Sequence, residues 1–218
     1  MPTIDQQHTA AEAEWFQAWL TGPSRTRYTT LPPQTGDAAP DISLRDTSGT
    51  NRHLREFWKT RPAIILFMRH FGCSCLAARW ETLKEDLLAF EQAGGQVVAI
   101  CQGEPERAKA VAARRGYPFP LLCDPDRRAY QLYGLLEGTP AQILHDFAWK
   151  PGDRETGEKL LSSRRGTERA LVDNPWQLPG EFVVAISGRL SLTHRYQYCE
   201  DFPPKTVLLG AIAATKKA

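Results

Sequence analysis

The sequence predicts an α/β fold, a central mixed sheet flanked by helices, and three observations carry that prediction. Residues 62–68 (Pro62-Ala63-Ile64-Ile65-Leu66-Phe67-Met68) form an unbroken apolar run, the pattern of a strand covered on both faces. The run breaks at Gly72 and passes directly into a helical pattern in which Leu76, Trp80, Leu83, Leu87 and Phe90 recur at intervals of four and three. The alternation then repeats: a second buried run, Gln96-Val97-Val98-Ala99-Ile100-Cys101, is followed by a helix over residues 104–114. Crossovers of this length suit parallel pairing.

Taken in order, residues 9–20 place Ala11, Trp15, Phe16, Trp19 and Leu20 on one helical face, stopped by Gly22-Pro23. This helix is expected to pack on the domain surface or on a second subunit. Residues 21–40 are rich in Pro, Gly and Thr and read as a loop, so residues 1–35 are expected to be an extension and 36–218 the main domain. Ile42-Ser43-Leu44, the turn Asp46-Thr47-Ser48-Gly49 and Asn51-Arg52-His53-Leu54 read as an edge hairpin leading into a short helical piece at 55–58. Beyond the second strand–helix unit, Phe119-Pro120-Leu121-Leu122 is a short strand, and Asp124-Pro125-Asp126 caps a helix over 127–133. Residues 137–178 have helical patches at 140–149 and 155–169 but no clean strand, and are expected to be a helical insertion. Phe182-Val183-Val184-Ala185-Ile186, the turn Ser187-Gly188 and residues 189–196 predict a hairpin. A last helix over 205–214 turns Val207, Leu208, Ala211 and Ile212 inward.

With 218 residues the chain is long enough for a full core. A formal net charge of +2 gives no lead to a partner, and the basic pairs Arg114-Arg115, Arg164-Arg165 and Lys216-Lys217 lack the stacking aromatics of a nucleic-acid site. No apolar run approaches the roughly 18 residues that span a bilayer. The first eight residues have neither a basic nor an apolar leader segment, so a cytoplasmic location with reduced thiols is expected. Five cysteines, an odd number, do not suggest a secreted disulfide framework.

The candidate site is the strand-to-helix turn Arg69-His70-Phe71-Gly72-Cys73-Ser74-Cys75-Leu76. A thiol in the first turn of a helix faces unpaired N–H groups and the positive end of the macrodipole, both of which favour the nucleophilic thiolate. At about 100° per residue, Cys73 continues the inward stripe while Cys75 lies roughly 200° around from it. The two thiols are therefore expected to point apart as long as the helix is intact, with Cys73 the nucleophile. The plainer reading is a pair of small core residues at a tight turn. His70 is a candidate proton relay or cation, and Arg69 a counter-ion if it turns toward the thiolate. Arg195, on the second arm of the hairpin, is expected to approach the pocket, and Cys199 is a distant candidate resolving thiol. Cys101 and Cys123, each ending a buried strand, read as core. A metal site from His70, Cys73 and Cys75 would lack a second Cys/His pair, so neither a metal nor a cofactor is expected.

Several stretches, in sequence order, resemble the alkyl hydroperoxide reductase/thiol-specific antioxidant family and, more narrowly, its divergent peroxiredoxin-like branch. Gly36-Asp37-Ala38-Ala39-Pro40-Asp41 with Leu44 and Gly49 is similar to the family's opening. Val97-Val98-Ala99-Ile100 and Pro118-Phe119-Pro120-Leu121-Leu122-Cys123-Asp124-Pro125-Asp126 are similar to its central β-α-β unit. Arg69-His70-Phe71-Gly72-Cys73 and Pro175-Trp176-Gln177-Leu178 resemble the divergent branch. The resemblance spans residues 36–196, apart from the middle excursion. It implies a thioredoxin-like fold and a thiol-dependent oxidoreductase in which Cys73 reduces a peroxide and is itself reduced by Cys75, Cys199 or an external thiol. It also implies a small peroxide or a thiol/disulfide protein as partner, with a homodimer as a candidate assembly. The sequence departs from the Pro-x-x-x-Thr/Ser-x-x-Cys motif. Counting from Cys73, Leu66 and His70 hold the Pro and Thr positions; from Cys75, Met68 and Gly72 do. Leu76 stands where a Cys-x-x-Cys pair would have its second thiol. Two other readings remain: thiol–disulfide exchange through Cys73 and Cys75, and a non-catalytic thioredoxin-fold binding module.

Overall fold

The computed structural model describes residues 2–144, 153–167 and 170–216. Helix α1 (Ile4–Thr21) precedes the edge hairpin β1 (Ser43–Asp46) and β2 (Asn51–His53), and a single 3-10 turn at Leu54–Phe57 follows. Next come β3 (Ala63–Phe67), α2 (Ser74–Gln92), β4 (Gln96–Cys101), α3 (Pro105–Arg115), β5 (Leu121–Cys123) and α4 (Arg128–Leu132). The excursion contributes α5 (Pro140–Leu144) and α6 (Arg154–Arg164), and β6 (Gly180–Val184), β7 (Leu190–Arg195) and α7 (Lys205–Ala214) complete the chain.

One seven-stranded sheet runs β2-β1-β5-β4-β3-β6-β7. β3, β4 and β5 are parallel, as the two crossovers require, while β1 joins β5, and β6 joins β3, in antiparallel sense. The fully buried β3 lies near the centre, which explains its unbroken apolar sequence. Its side chains alternate between two cores. Ala63, Ile65 and Phe67 meet Leu54, Phe57, Tyr130 and Tyr133 on one face; Ile64, Leu66 and Met68 meet Trp80, Leu83, Phe90, Leu208 and Ile212 on the other. Tyr130 ties the strand ends together, its hydroxyl donating to Met68 O at 2.6 Å and Ile100 O at 3.1 Å. The segment before β1 is extended and lies against the start of β7, with Gly36 N donating to Leu190 O and Ala39 N to Gly188 O.

Helix α1 starts earlier than its apolar stripe suggests, because Thr3 and Gln6 form a capping box upstream of Ala11. It packs on its own chain, against α6 and α3. Trp15 stacks on Trp19, and Trp19 on Trp176, at centroid distances of 5.4 and 5.6 Å. Trp176 Nε1 donates to Ala18 O at 2.7 Å. Close approach of α6 requires Gly157, since a Cβ there would lie 2.8 Å from Phe16 and Trp19 side-chain atoms. Of the predicted helical patches in the excursion, 145–149 and 168–169 fall outside the described residues, as does Lys217 of the C-terminal basic pair.

The tryptophan stack thus anchors residues 170–178, a segment buried almost throughout. Trp19→Ala is expected to lower stability by about 3–5 kcal/mol, the usual cost of removing a buried large aromatic. Urea unfolding followed by far-UV circular dichroism measures it, and a loss below about 1 kcal/mol would mean that the stack does not hold this segment.

Candidate active site

Cys73 is the N-cap of α2. Its backbone is extended (φ −71°, ψ 132°) and the helix begins at Ser74. Cys73 N donates to His70 O, and Cys73 O accepts from Ala77 N, so the turn is tight. Cys73 and Cys75 are joined by a disulfide, with Cα atoms 5.4 Å apart. The expectation that the two thiols point apart is therefore corrected. The 100° rule holds between helical residues, but an N-cap lies half outside the helix, and its extended ψ swings the Cys73 side chain toward Cys75. Both sulfurs belong to the core that α2 forms on the sheet.

Arg69 is the centre of the site. Leaving the end of β3, it is 4% exposed, and Nη1 lies 3.3 Å from Cys73 Sγ, 3.9 Å from Cys75 Sγ and 2.7 Å from Cys199 Sγ. Nε donates to Gln177 O at 3.2 Å and Nη2 to Pro175 O. The predicted counter-ion thus reaches both cysteines of the turn together with a third. Cys199 is not distant: the loop after β7 returns it beneath Arg69, with Cys199 N bonded to Gln142 O and Sγ 3.5 Å from Ile143 O. Burial pushes the Cys199 thiol above its ordinary value, while the Arg69 guanidinium opposes that shift. Burial lowers the Arg69 pKa in turn, and the Cys199 sulfur works against it. His70 is buried beside the turn.

Arg195 does not approach the cysteines, and that expectation is corrected. Its Nε donates to Tyr133 O and its Nη2 to Pro33 O, and the guanidinium lies over the Phe182 ring on the opposite face of the sheet. Strand alternation explains the difference. His194 and Tyr196, the residues on either side, occupy the cysteine face, where Tyr196 lines the same crevice as Cys75 and Cys199. Cys101 and Cys123 are paired across β4 and β5 and buried; burial pushes the Cys101 thiol up, with Cys123 adding to the shift.

Two buried ion pairs went unread in the sequence. Arg79, on α2, donates to both oxygens of Glu181 on β6 at 2.7 Å, and Tyr196 Oη donates to Glu181 Oε1. Burial works to lower the Arg79 pKa, yet Glu181 outweighs it and holds the guanidinium above its usual range. Burial, then the Glu181 carboxylate, raises the Tyr196 phenol. Arg107 on α3 donates to both oxygens of Asp173, at 2.9 and 2.5 Å, and clamps the segment that supplies the carbonyls for Arg69. The Arg79–Glu181 pair has a signal in the sequence: Arg79 interrupts the apolar side of α2 between Leu76 and Leu83, and Glu181 precedes the apolar run of β6.

The AhpC/TSA family model matches residues 35–156, more than half of the chain. The chain belongs to the AhpC/TSA family. Among its relatives, the chloroplastic thioredoxin-like protein AAED1 of Arabidopsis thaliana is 25% identical over 188 residues, covering 83% of this chain and 73% of the relative. The chloroplastic peroxiredoxin Q of Gentiana triflora is 28% identical over 145 residues, 65% of this chain and 60% of that protein. Similar solved structures include the thiol peroxidase of Chromobacterium violaceum (TM-score 0.59, 14% identity, 85% of this chain and 90% of that one). Another is the peroxidoxin BcpB of Mycobacterium tuberculosis (TM-score 0.55, 18% identity, 84% and 97%). The AhpC/TSA chain is thus a divergent peroxiredoxin-like protein, and its mixed sheet with flanking helices is the thioredoxin fold expected from the sequence. Among the described residues, no helix is long and apolar enough to cross a membrane.

Arg79→Met would leave Glu181, fully buried, without its cation, and is expected to cost about 3–5 kcal/mol. The double variant Arg79→Met/Glu181→Leu should recover most of that loss. Thermal unfolding of the two proteins tests the pair, and equal losses in both would show that packing rather than charge is responsible.

Proposed function

We propose that this protein is a thiol-dependent peroxidase of the peroxiredoxin-like type, with Cys73 as the peroxidatic nucleophile and Cys75 as the resolving thiol. The observation that carries the reading is the Cys73–Cys75 disulfide at the N-terminus of α2 beneath the Arg69 guanidinium. The relatives support the same activity class: peroxiredoxin Q and alkyl hydroperoxide reductase E are named for it.

In the reduced protein, the Cys73 thiolate attacks one peroxide oxygen and the O–O bond breaks. The other oxygen leaves as water or an alcohol after taking a proton, and Cys73 becomes a sulfenic acid. Cys75 then attacks the Cys73 sulfur. The S–O bond breaks, water departs, and the two thiols have supplied the two electrons that reduced the peroxide. The guanidinium of Arg69 favours thiolate over thiol at Cys73, and the helix N-terminus adds its partial positive charge. Leu66 and His70 replace the proline and threonine usual in the family, so Arg69 and backbone N–H groups carry the polar recognition of the peroxide, with His70 as the neighbouring proton carrier. With Cys73 only 8% exposed in the disulfide form, peroxide entry requires the turn to open after reduction.

The same disulfide also favours a second reading, thiol–disulfide exchange with a protein partner. A cytoplasmic location, where thiol reductants regenerate the site, and a homodimeric assembly complete the proposal.

Stoichiometric hydrogen peroxide should be consumed rapidly by the reduced wild type, and Cys73→Ser should abolish the reaction. Arg69→Met should slow it by roughly a hundredfold and move the pH–rate profile to higher pH, because the thiolate loses its cation. Stopped-flow fluorescence over a pH series measures both effects. If Cys73→Ser retains the rate, the nucleophile is wrong. Efficient insulin reduction by a wild type that is slow with peroxide would favour the exchange reading.

A further inference from the structure

Three sulfurs share one guanidinium nitrogen, although a two-cysteine cycle needs only two of them. Cys199 is held at 2.7 Å by the same Nη1 that touches the disulfide, the shortest of its three sulfur contacts. Cys75 and Cys199 also open onto one apolar crevice, lined by Leu66, Met68, Leu76 and Phe202, while Cys73 lies outside it. With a volume of only about 10 Å³, the crevice has space for at most a water and none for an organic substrate.

We propose that Cys199 is a third redox sulfur, which takes over the disulfide from Cys73. The Cys199 thiolate attacks Cys75 Sγ, the Cys73–Cys75 bond breaks and a Cys75–Cys199 disulfide forms. Cys73 leaves as a thiolate. One S–S bond replaces another, with no net oxidation and no external reagent. Only the proton of Cys199 is lost; burial holds that proton on, and the guanidinium in contact with the sulfur works against the burial.

Two features set the direction of attack. Cys73 is the better leaving group, because it is closer than Cys75 to Arg69 (3.3 against 3.9 Å) and caps the positive end of α2. Attack at Cys75 therefore restores the peroxidatic thiolate at once. The product also changes position. Cys73 and Cys75 are fixed between β3 and α2, whereas Cys199 lies on the irregular stretch between β7 and α7, flanked by exposed Tyr198 and Glu200. In a Cys75–Cys199 disulfide only the Cys75 end is held by α2, so movement of the loop around Cys199 can uncover that sulfur to an external thiol. The relay makes Cys199 the point at which a reductant acts.

The inference rests on the Cys73/Cys75 assignment, but its test does not require peroxide. Reduced full-length protein is oxidised with diamide, quenched with acid and N-ethylmaleimide, and mapped by non-reducing peptide mass spectrometry. Wild type should contain both Cys73–Cys75 and Cys75–Cys199 bridges. Cys73→Ala should form Cys75–Cys199 alone, and Cys199→Ser should be re-reduced by dithiothreitol at least about tenfold more slowly than wild type. Absence of the Cys75–Cys199 bridge from both oxidised wild type and a folded Cys73→Ala overturns the relay, as does wild-type re-reduction of Cys199→Ser. Should Cys73→Ala fail to fold, the wild-type map decides alone. A protein that makes these bridges with diamide yet ignores peroxide would overturn the peroxidase reading and leave the relay standing.

Discussion

The burial of Arg69 organises this molecule. A guanidinium taken out of water is stable only if its N–H groups find acceptors, and here they find the carbonyls of Pro175 and Gln177 and a group of sulfurs. None of these acceptors comes from the strand that carries Arg69. The segment 170–178 must cross the end of the sheet, α2 must start at Ser74, and the loop after β7 must bring Cys199 inward. Arg69 thereby links a local turn to two remote parts of the chain. The Arg107–Asp173 pair and the tryptophan stack fix the same segment from its other side, so the carbonyls are already in place for the guanidinium.

The chemistry follows from this arrangement. A cation permanently desolvated beside a thiol acts through a low dielectric, where its preference for thiolate is stronger than at a surface. In the proposed peroxidase the polar work for which the family motif has a threonine falls to a buried arginine, while Leu66 remains a strand residue packed in the core. The Arg79–Glu181–Tyr196 network lies at the other end of the same crevice and joins α2 to β6 and β7, holding the helix that carries Cys75 against the sheet.

The sheet was legible in the sequence because its signals are local. Two-sided apolar runs identified β3 and β4, the turn at Ser187-Gly188 identified the last hairpin, and α7 occupies the predicted residues. The resemblance then supplied the thioredoxin-like arrangement of these parts. What escaped was set by long-range contacts or by end effects. The Cys73–Cys75 bridge escaped because a helical wheel was extended by one residue, across a cap whose ψ is not helical. Arg195 lies one step of strand parity from the residues that face the cysteines, a difference that its place on the hairpin alone does not show. Arg69 could be named as a counter-ion, but its contact with Cys199 spans 130 residues, which no spacing rule foresees. The buried course of 170–178 was likewise hidden, since its backbone is met by the side chains of Arg69 and Gln102 and by a single β-bridge, Glu137 with Gln177, rather than by an extended ladder.

The stack of Trp15, Trp19 and Trp176 has a consequence for how such a site can diverge. The segment that supplies carbonyls to Arg69 is secured by α1, which lies outside the sheet. Substitutions along α1 therefore reach the carbonyls that hold Arg69 without altering any residue of the cysteine turn. Helix α1 thereby couples the stability of the fold to the covering of the site, since the tryptophans that hold the segment are themselves core residues.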